Sequence, residues 1–375
     1  MIKQIHIKNF KSVQDLKLEL GRINVFIGAN GSGKSNILEA IALAGAYSAD
    51  KLDYEFLTSR GIRIPSDLNH FKSLFNLENI TQSIKIEFQL DRELPTLKYE
   101  INLYDLADGK NWSREYQIPH IEERVKFKIN EGSSEVNDLE QLRELVKEEI
   151  SKMFGELRNS EIEKFIIYQP EYSPLRNLFD ETQIRPLGIH GEGLFRVLNN
   201  FPKERINAIK ELLKSFDWFE TFNVDINSKL ENSINIKDRF IDKGFEWFDQ
   251  RSVNEGFLFI LFYLTLFSSD KTPAFFAVDN VESTLNPLLS QQLLHSISDL
   301  AKKNNKQAIL TTHSAAILDG LDLRDDDQRL FVISRDMDGQ TVAKRIREYS
   351  NESDKSMKLS ERWMRGYIGG LPDNF

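Results

Sequence analysis

The sequence contains no cysteine at all. Disulfides, thiolate metal sites and cysteine nucleophiles are therefore excluded, and a reducing compartment is the setting this fits. Long hydrophobic runs are missing too. The longest, Phe257 to Phe267, falls well short of the roughly 20 residues that a bilayer-crossing helix needs. The first residues, Met1-Ile2-Lys3-Gln4-Ile5-His6, alternate as a strand does and show neither the apolar core nor the cleavage site of a secretory leader. A soluble, cytoplasmic protein with no membrane partner is the expectation. Basic excess is also lacking: a net charge of −9 argues against a strong, uniform non-specific grip on nucleic acid, although a local basic face is compatible with it. What the chain has is length, 375 residues, enough for two to three domains or for one domain carrying a large insertion.

Gly28-Ala29-Asn30-Gly31-Ser32-Gly33-Lys34-Ser35 fits the phosphate-binding P-loop, G-x-x-x-x-G-K-[S/T]. Its context is the required one. The apolar run Ile23, Val25, Phe26, Ile27 precedes it as a buried strand would, and Asn36 to Leu43 follows with helical spacing. The three glycines permit backbone dihedrals closed to other residues, so successive N–H groups converge on phosphate oxygens at a helix N-terminus. In such a loop Asn30, Gly31, Ser32, Gly33 and Asn36 line the phosphates, Lys34 bridges the β- and γ-phosphates, and the Ser35 hydroxyl ligates Mg²⁺. A nucleotide with Mg²⁺ is the ligand this spacing calls for.

Two period-two strands, Ile2 to Phe10 and Gln14 to Leu20, lead into the P-loop strand. Together, Ile7-Lys8-Asn9-Phe10-Lys11-Ser12 and Ile27-Gly28-Ala29-Asn30-Gly31-Ser32-Gly33-Lys34-Ser35-Asn36 resemble the opening of the ABC-type ATPases of the RecF, SMC, Rad50 and OLD group. That resemblance implies an α/β fold: a P-loop NTPase head of ABC type with a mixed central sheet, an antiparallel β lobe and a helical insertion. Along the chain it implies an N-terminal half of the head at 1–104, an insertion at 105–200 and a C-terminal half at 201–375. Gln82 to Leu90 and Leu97 to Leu103 alternate around Pro95 as an antiparallel hairpin. Gln82 is the nearest match to the glutamine that these heads place near the γ-phosphate. Val136 to Leu157 carries Leu139, Leu142, Val146, Ile150, Met153 and Leu157 on one helical stripe, an amphipathic helix too short for the coiled-coil arm of SMC and Rad50 proteins. His190, within Pro186 to Leu194, has no second ligand at metal spacing, so a turn that docks the next helix is the better reading.

The second half of the chain supplies further motifs in the order the resemblance implies. Asn254, Glu255 and Gly256, at the start of the apolar helix from Phe257, stand at the place of the signature that meets the γ-phosphate of a second copy, with Asn254 at the usual serine position. Ala274 to Asp279 is an apolar strand ending in the Walker B carboxylate, so Asp279 joins Ser35 in holding Mg²⁺. Asn280 occupies the position of the glutamate that activates water, and an amide cannot take its proton, so slow turnover is expected. Glu282 matches a second acid of the OLD-type motif and could partly substitute. Ser283 to Pro287 matches the D-loop, and His313 in Thr311-Thr312-His313-Ser314 matches the switch histidine. Asp336 and Asp338 imitate a D-x-D metal pair, but Asp338-Gly339 between two strands reads as a hairpin turn. The apolar, glycine-bearing C-terminal stretch is expected to dock on its own head or on a partner.

The resemblance implies a homodimer or higher oligomer closed around ATP, with DNA a possible partner. Armless heads of this kind often serve as the sensor or regulator of a bacterial anti-phage defence system beside a separately encoded effector, commonly a nuclease. A RecF-like DNA repair ATPase and a non-hydrolysing, nucleotide-gated scaffold are the alternatives.

Overall fold

Stretches of period two pair into three sheets, and the apolar runs with helical spacing pack on both faces of the largest. The computed structural model describes residues 1–49, 51–90, 96–101, 161–178, 186–226, 232–242, 244–282, 285–347 and 357–371. The helix expected at Val136 to Leu157, the turn at Pro95 and the D-loop residues Ser283 and Thr284 lie outside the described residues. The first half holds strands β1 (Gln4–Phe10), β2 (Val13–Glu19) and β3 (Ile23–Ile27), helices α1 (Lys34–Ser48) and α2 (Tyr54–Ser59), then β4 (Ile84–Gln89) and β5 (Leu97–Ile101). After these come β6 (Ile167–Tyr168), α3 (Tyr172–Asn177), α4 (Leu194–Asn199) and α5 (Lys203–Leu213). Next are β7 (Phe219–Ile226), β8 (Asn232–Asp238), β9 (Trp247–Asp249) and α6 (Glu255–Ser268). The chain closes with β10 (Phe275–Val278), α7 (Pro287–Lys303), β11 (Gln307–Thr311), β12 (Gln328–Arg335), β13 (Thr341–Ile346) and α8 (Leu359–Met364).

The largest sheet runs in the order β13-β12-β3-β11-β10-β6, parallel except for β13. Its strands bury alternate residues on opposite faces, as the pleat requires. Val25, Leu310, Phe276 and Leu330 face one core, together with α6; Phe26, Ile309, Phe275 and Phe331 face the other, together with α1. Helix α6 is apolar all round because it is buried all round, from Gly256 to Ser268. No helix among the described residues is long and apolar enough to cross a membrane. The antiparallel sheet β2-β1-β4-β5 covers α1, and the hairpin expected after Gln82 is its β4–β5 pair. Sheet β7-β8-β9 delivers the chain to α6.

Residues 161–178 and 186–199 belong to this head although the sequence reading put them in an insertion. Strand β6 pairs with β10 at the sheet edge, and Phe165, Ile166, Ile167 and Tyr168 are buried. Two residues of strand carry no readable period, which is why the return to the head was invisible. The C-terminal stretch docks on its own head: Trp363 and Ile368 are buried, and Ser360 bonds the Asp319 carboxylate through both its N–H (3.0 Å) and its hydroxyl (2.8 Å).

Lys306, just before β11, is only 2 % exposed, and its ammonium donates to Thr272 O (2.8 Å), Thr272 Oγ1 (3.0 Å) and Pro273 O (3.2 Å), all neutral acceptors. Burial pushes its pKa down to about 8, partly opposed by Glu161 and Asp270. The folded pKa thus lies below the unfolded one, so between about pH 8 and 10.5 the unfolded chain binds more protons and stability rises with pH. Relative to Lys306→Met, the parent protein is expected to gain about 2 kcal/mol between pH 7.5 and 9.5. Urea unfolding of both proteins at the two pH values checks this, and parallel pH dependence would show that Lys306 titrates normally.

Candidate active site

The P-loop leaves the end of β3 and enters α1 at Lys34, with Gly28, Gly31 and Gly33 all at positive φ (149°, 76° and 107°). Close approach as well as conformation demands glycine at two of them. A Cβ on Gly28 would sit 2.0 Å from Ile333 O of β12, and one on Gly33 would sit 2.0 Å from Thr341 Oγ1 of β13. The β12–β13 hairpin braces the loop in return: Thr341 Oγ1 donates to Ser32 O (3.0 Å) and Arg335 Nε to Gly31 O (2.9 Å). Asp336 and Asp338 serve this hairpin as a turn, the Asp336 carboxylate accepting from the N–H of Asp338 and of Gln340 (3.1 and 2.8 Å).

The Asn9-Phe10-Lys11-Ser12 phrase also has a physical reason. Asn9 and Lys11 take left-handed backbone, and the Asn9 side chain staples residues 73–83 through Ser73 N, Asn79 O, Gln82 O and Ser83 O. The turn then places Ser12 Oγ within 2.6 Å of Asn36 Nδ2 and 2.7 Å of Thr341 Oγ1. Motif one thereby props motif two.

Three features of the loop fit a bound polyphosphate. Gly33 caps α1 with no side chain, so the first-turn N–H groups are left for an anion. Ser32 Oγ is buried with no hydrogen-bond partner among the described residues. Lys34 is buried, and its ammonium folds back onto the loop's own carbonyls, Gly28 O at 2.8 Å and Ala29 O at 3.1 Å, where phosphate oxygens would be stronger acceptors. Burial lowers the Lys34 pKa, while Asp279 and Glu282 pull it back up.

Asp279, at the end of β10, is the hub of the second cluster. Its Oδ2 accepts from Ser35 Oγ and from Gln169 Nε2, both at 3.2 Å, and its Oδ1 accepts from Thr311 Oγ1. Ser35 and Asp279 therefore meet as the motif logic requires, a hydroxyl and a carboxylate able to share a divalent cation. Asn280 follows with left-handed φ (56°), its N–H held by Thr311 Oγ1 at 2.9 Å, and is exposed. Glu282 Oε1 accepts from the His313 N–H at 2.7 Å, while Oε2 is buried and has no hydrogen-bond partner among the described residues. Desolvation and then the Lys34 charge lower the His313 pKa, with Glu282 and Asp279 opposing, so the imidazole is neutral near pH 7.

Two sequence-derived positions stand apart. Gln82 is exposed at the foot of β4, its carbonyl tied to Asn9, and its side chain makes no hydrogen bond with the P-loop or Asp279 among the described residues. The glutamine beside Asp279 is Gln169, directly after β6. Place before a strand suggested Gln82; sheet order, which puts β6 next to β10, decides for Gln169. A short apolar run ending in Gln169-Pro170 was the only trace of it in the sequence. Asn254, Glu255 and Gly256 begin α6, where Asn254 Oδ1 caps the helix by accepting from Phe257 N (2.9 Å). Asn254 and Glu255 are exposed, and the body of α6 packs on the sheet face opposite α1. No hydrogen bond among the described residues joins this segment to its own P-loop. Asn286 caps α7 in the same way, through Leu289 N at 2.9 Å.

A P-loop braced by a hairpin, a Walker B aspartate one strand removed and a histidine two residues past the end of the strand between them define an ABC-type P-loop ATPase head of the SMC, RecF and OLD group. Comparison with known proteins agrees. Residues 23–319 match the AAA_21 family, "AAA domain, putative AbiEii toxin, Type IV TA system", and the chain belongs to that family. It is 30 % identical over 107 residues to an OLD nuclease of Thermus scotoductus, covering 28 % of this chain and 18 % of that protein. It is 22 % identical over 370 residues to an ATP/GTP phosphatase of Helicobacter pylori, covering 90 % of this chain and 93 % of that one. The SMC head domain from Thermotoga maritima superposes with a TM-score of 0.51 at 17 % identity, over 92 % of this chain and 99 % of that one. The chain spans 18 % of the OLD nuclease and 11–25 % of RecF relatives.

Proposed function

We propose that the protein binds Mg²⁺-ATP at the P-loop, hydrolyses it slowly, and closes into a dimer around it. The observation that carries this is the convergence of Lys34, Ser35, Gln169 and Asp279 at one end of the parallel strands, with Asn280 where a proton-accepting side chain would speed the reaction. Ser35 and Asp279 would hold the Mg²⁺, with Gln169 orienting the carboxylate. The loop N–H groups and Lys34 would hold the phosphates, and Mg²⁺ would neutralise charge developing on them. Glu282 offers the only carboxylate oxygen near Lys34 and His313 that is buried and without a hydrogen-bond partner among the described residues, so it is the candidate to take a proton from water. The exposed Asn254 and Glu255 at the start of α6, with no hydrogen bond to their own P-loop among the described residues, support completion of the site by a second copy through two-fold symmetry.

In this reading the ATP-closed dimer is the signalling state of a sensor or regulator subunit in a bacterial anti-phage defence system, acting on a separately encoded effector, a nuclease. The family description and the similarity to an OLD nuclease support that role. Asn280 favours one other reading, a nucleotide-gated scaffold that does not hydrolyse at all. Molar mass measured by light scattering separates these from a plain monomeric ATPase: the mass is expected to double with Mg²⁺-ATP and to stay doubled for many minutes. A mass unchanged by ATP would overturn the sandwich.

A further inference from the structure

Gln169 does not reach Asp279 on its own. It lies on residues 169–171, a strip of chain after β6 that has no regular structure of its own, and a glycine-bearing loop lies along that strip. Gln169 N donates to Ile189 O at 2.8 Å, and Glu171 N donates to His190 O at 2.9 Å. Between these two backbone bonds the His190 ring turns inward, its Nδ1 3.0 Å from Gln169 O and 3.2 Å from Glu171 Oε1. Both neighbours are acceptors, so Nδ1 carries the proton and shares it. The loop is itself closed: Gly188 N donates to Glu192 O (2.9 Å), and the Glu192 carboxylate accepts from His190 N at 3.0 Å. Gly191 and Gly193 are left-handed and tightly packed, a Cβ on Gly191 falling 2.4 Å from Leu175 Cδ2 and one on Gly193 falling 2.5 Å from Pro186 O. Gly193 then caps α4, which packs in the same core as α6.

We infer that His190 is a positioning residue: through its bond to the Gln169 carbonyl it sets the reach of the Gln169 amide to Asp279, and so ties the metal-side carboxylate to the lobe that carries Asn254–Gly256. This rests on the Mg²⁺-ATP reading of the site. The β6–β10 pairing and the bond from Gln169 N to Ile189 O hold Gln169 on its N-terminal side, and a rotation on its carbonyl side would carry Nε2 away from the carboxylate. The His190 clasp removes that rotation. Movement of α4 and α6, for instance when a second copy engages the α6 cap, is transmitted to Gln169 by this loop.

The test is a double-mutant cycle on His190 and Gln169, read as the gain in ATP affinity that Mg²⁺ confers over EDTA, measured by calorimetry. Overall fold and bare nucleotide affinity cancel in that ratio, so a merely structural loss leaves it unchanged. His190→Ala is expected to reduce the Mg²⁺-dependent gain about fivefold and Gln169→Ala about tenfold, with the double variant no worse than Gln169→Ala. His190→Asn, whose amide can donate to the same carbonyl, keeps most of the gain and covers the case in which the alanine variant fails to fold. Multiplicative losses, or a His190→Asn protein as impaired as Gln169→Ala, would overturn the clasp. A parent protein that binds no ATP would instead overturn the nucleotide reading beneath it.

Discussion

Lys34→Ala is expected to weaken ATP binding by about 100-fold, equivalent to roughly 2.7 kcal/mol, with little change in thermal midpoint. Lys34 is 5 % exposed, and its side chain ends among acceptors, two of them loop carbonyls that it already holds. When a triphosphate lies in the loop, these neutral contacts exchange for charged ones, and charge-assisted bonds are about twice as strong. Truncation removes that gain and leaves the negative charges of Asp279 and Glu282 facing the phosphates uncompensated. Stability moves little for two reasons. Alanine is the better helix former at the start of α1, and removing a buried cation whose pKa burial has already lowered relieves a desolvation cost while the two carbonyls lose a donor. Calorimetric titration with ATP, with the circular-dichroism melt as control, reads both. Affinity within threefold of the parent would mean the phosphates lie elsewhere and the glycine loop is only a turn.

Motifs that are contiguous were legible in the sequence. The P-loop announces itself because its glycines are required locally, by left-handed backbone and by the approach of Ile333 O and Thr341 Oγ1. Strands β1 to β3, β10 and β11 showed as apolar or alternating runs, and α6 as an apolar stretch too short for a membrane, because each buries a face or all of itself. Pieces whose meaning lies in sheet order were not legible. Strand β6 is two residues long, so neither it nor Gln169 could be placed until its pairing with β10 was known. Gln82 fitted a sequence position and not a spatial one. The same holds for Ser12, Thr341 and Arg335, ordinary polar residues far apart in the chain that meet at the loop. His190 was rightly read as part of a turn, yet what the turn clasps could only be seen folded.

Asn280→Glu is expected to raise ATP turnover by about 10- to 100-fold with KM for ATP unchanged, at a cost in stability of about 1 kcal/mol. The two effects have separate causes. Asn280 sits at φ 56°, where asparagine is tolerated and a longer side chain is strained. Its backbone is pinned, Asn280 N by Thr311 Oγ1 and Val281 N by Thr311 O (3.1 Å), so the glutamate must adopt that conformation rather than relax it. Once there, it adds a proton acceptor one residue past Asp279, the carboxylate proposed to hold Mg²⁺, where the chain now offers an amide that can orient water but cannot deprotonate it. In the proposed reading the parent's reaction then depends on Glu282, whose Oε1 accepts from His313 N and whose Oε2 has no hydrogen-bond partner among the described residues. Glu282→Gln should accordingly cut the parent's residual turnover about tenfold or more, and should cut that of Asn280→Glu far less, because the new carboxylate bypasses it. Steady-state phosphate release from the four proteins settles the order. If Asn280→Glu gains nothing while Glu282→Gln is inert in both backgrounds, Glu282 is already the full base and slow turnover has another cause, such as the need for a second copy to close the site. If Glu282→Gln changes nothing in the parent, its buried oxygen serves only to hold the His313 loop, and the protein's hydrolysis is the unassisted reaction of a well-positioned water.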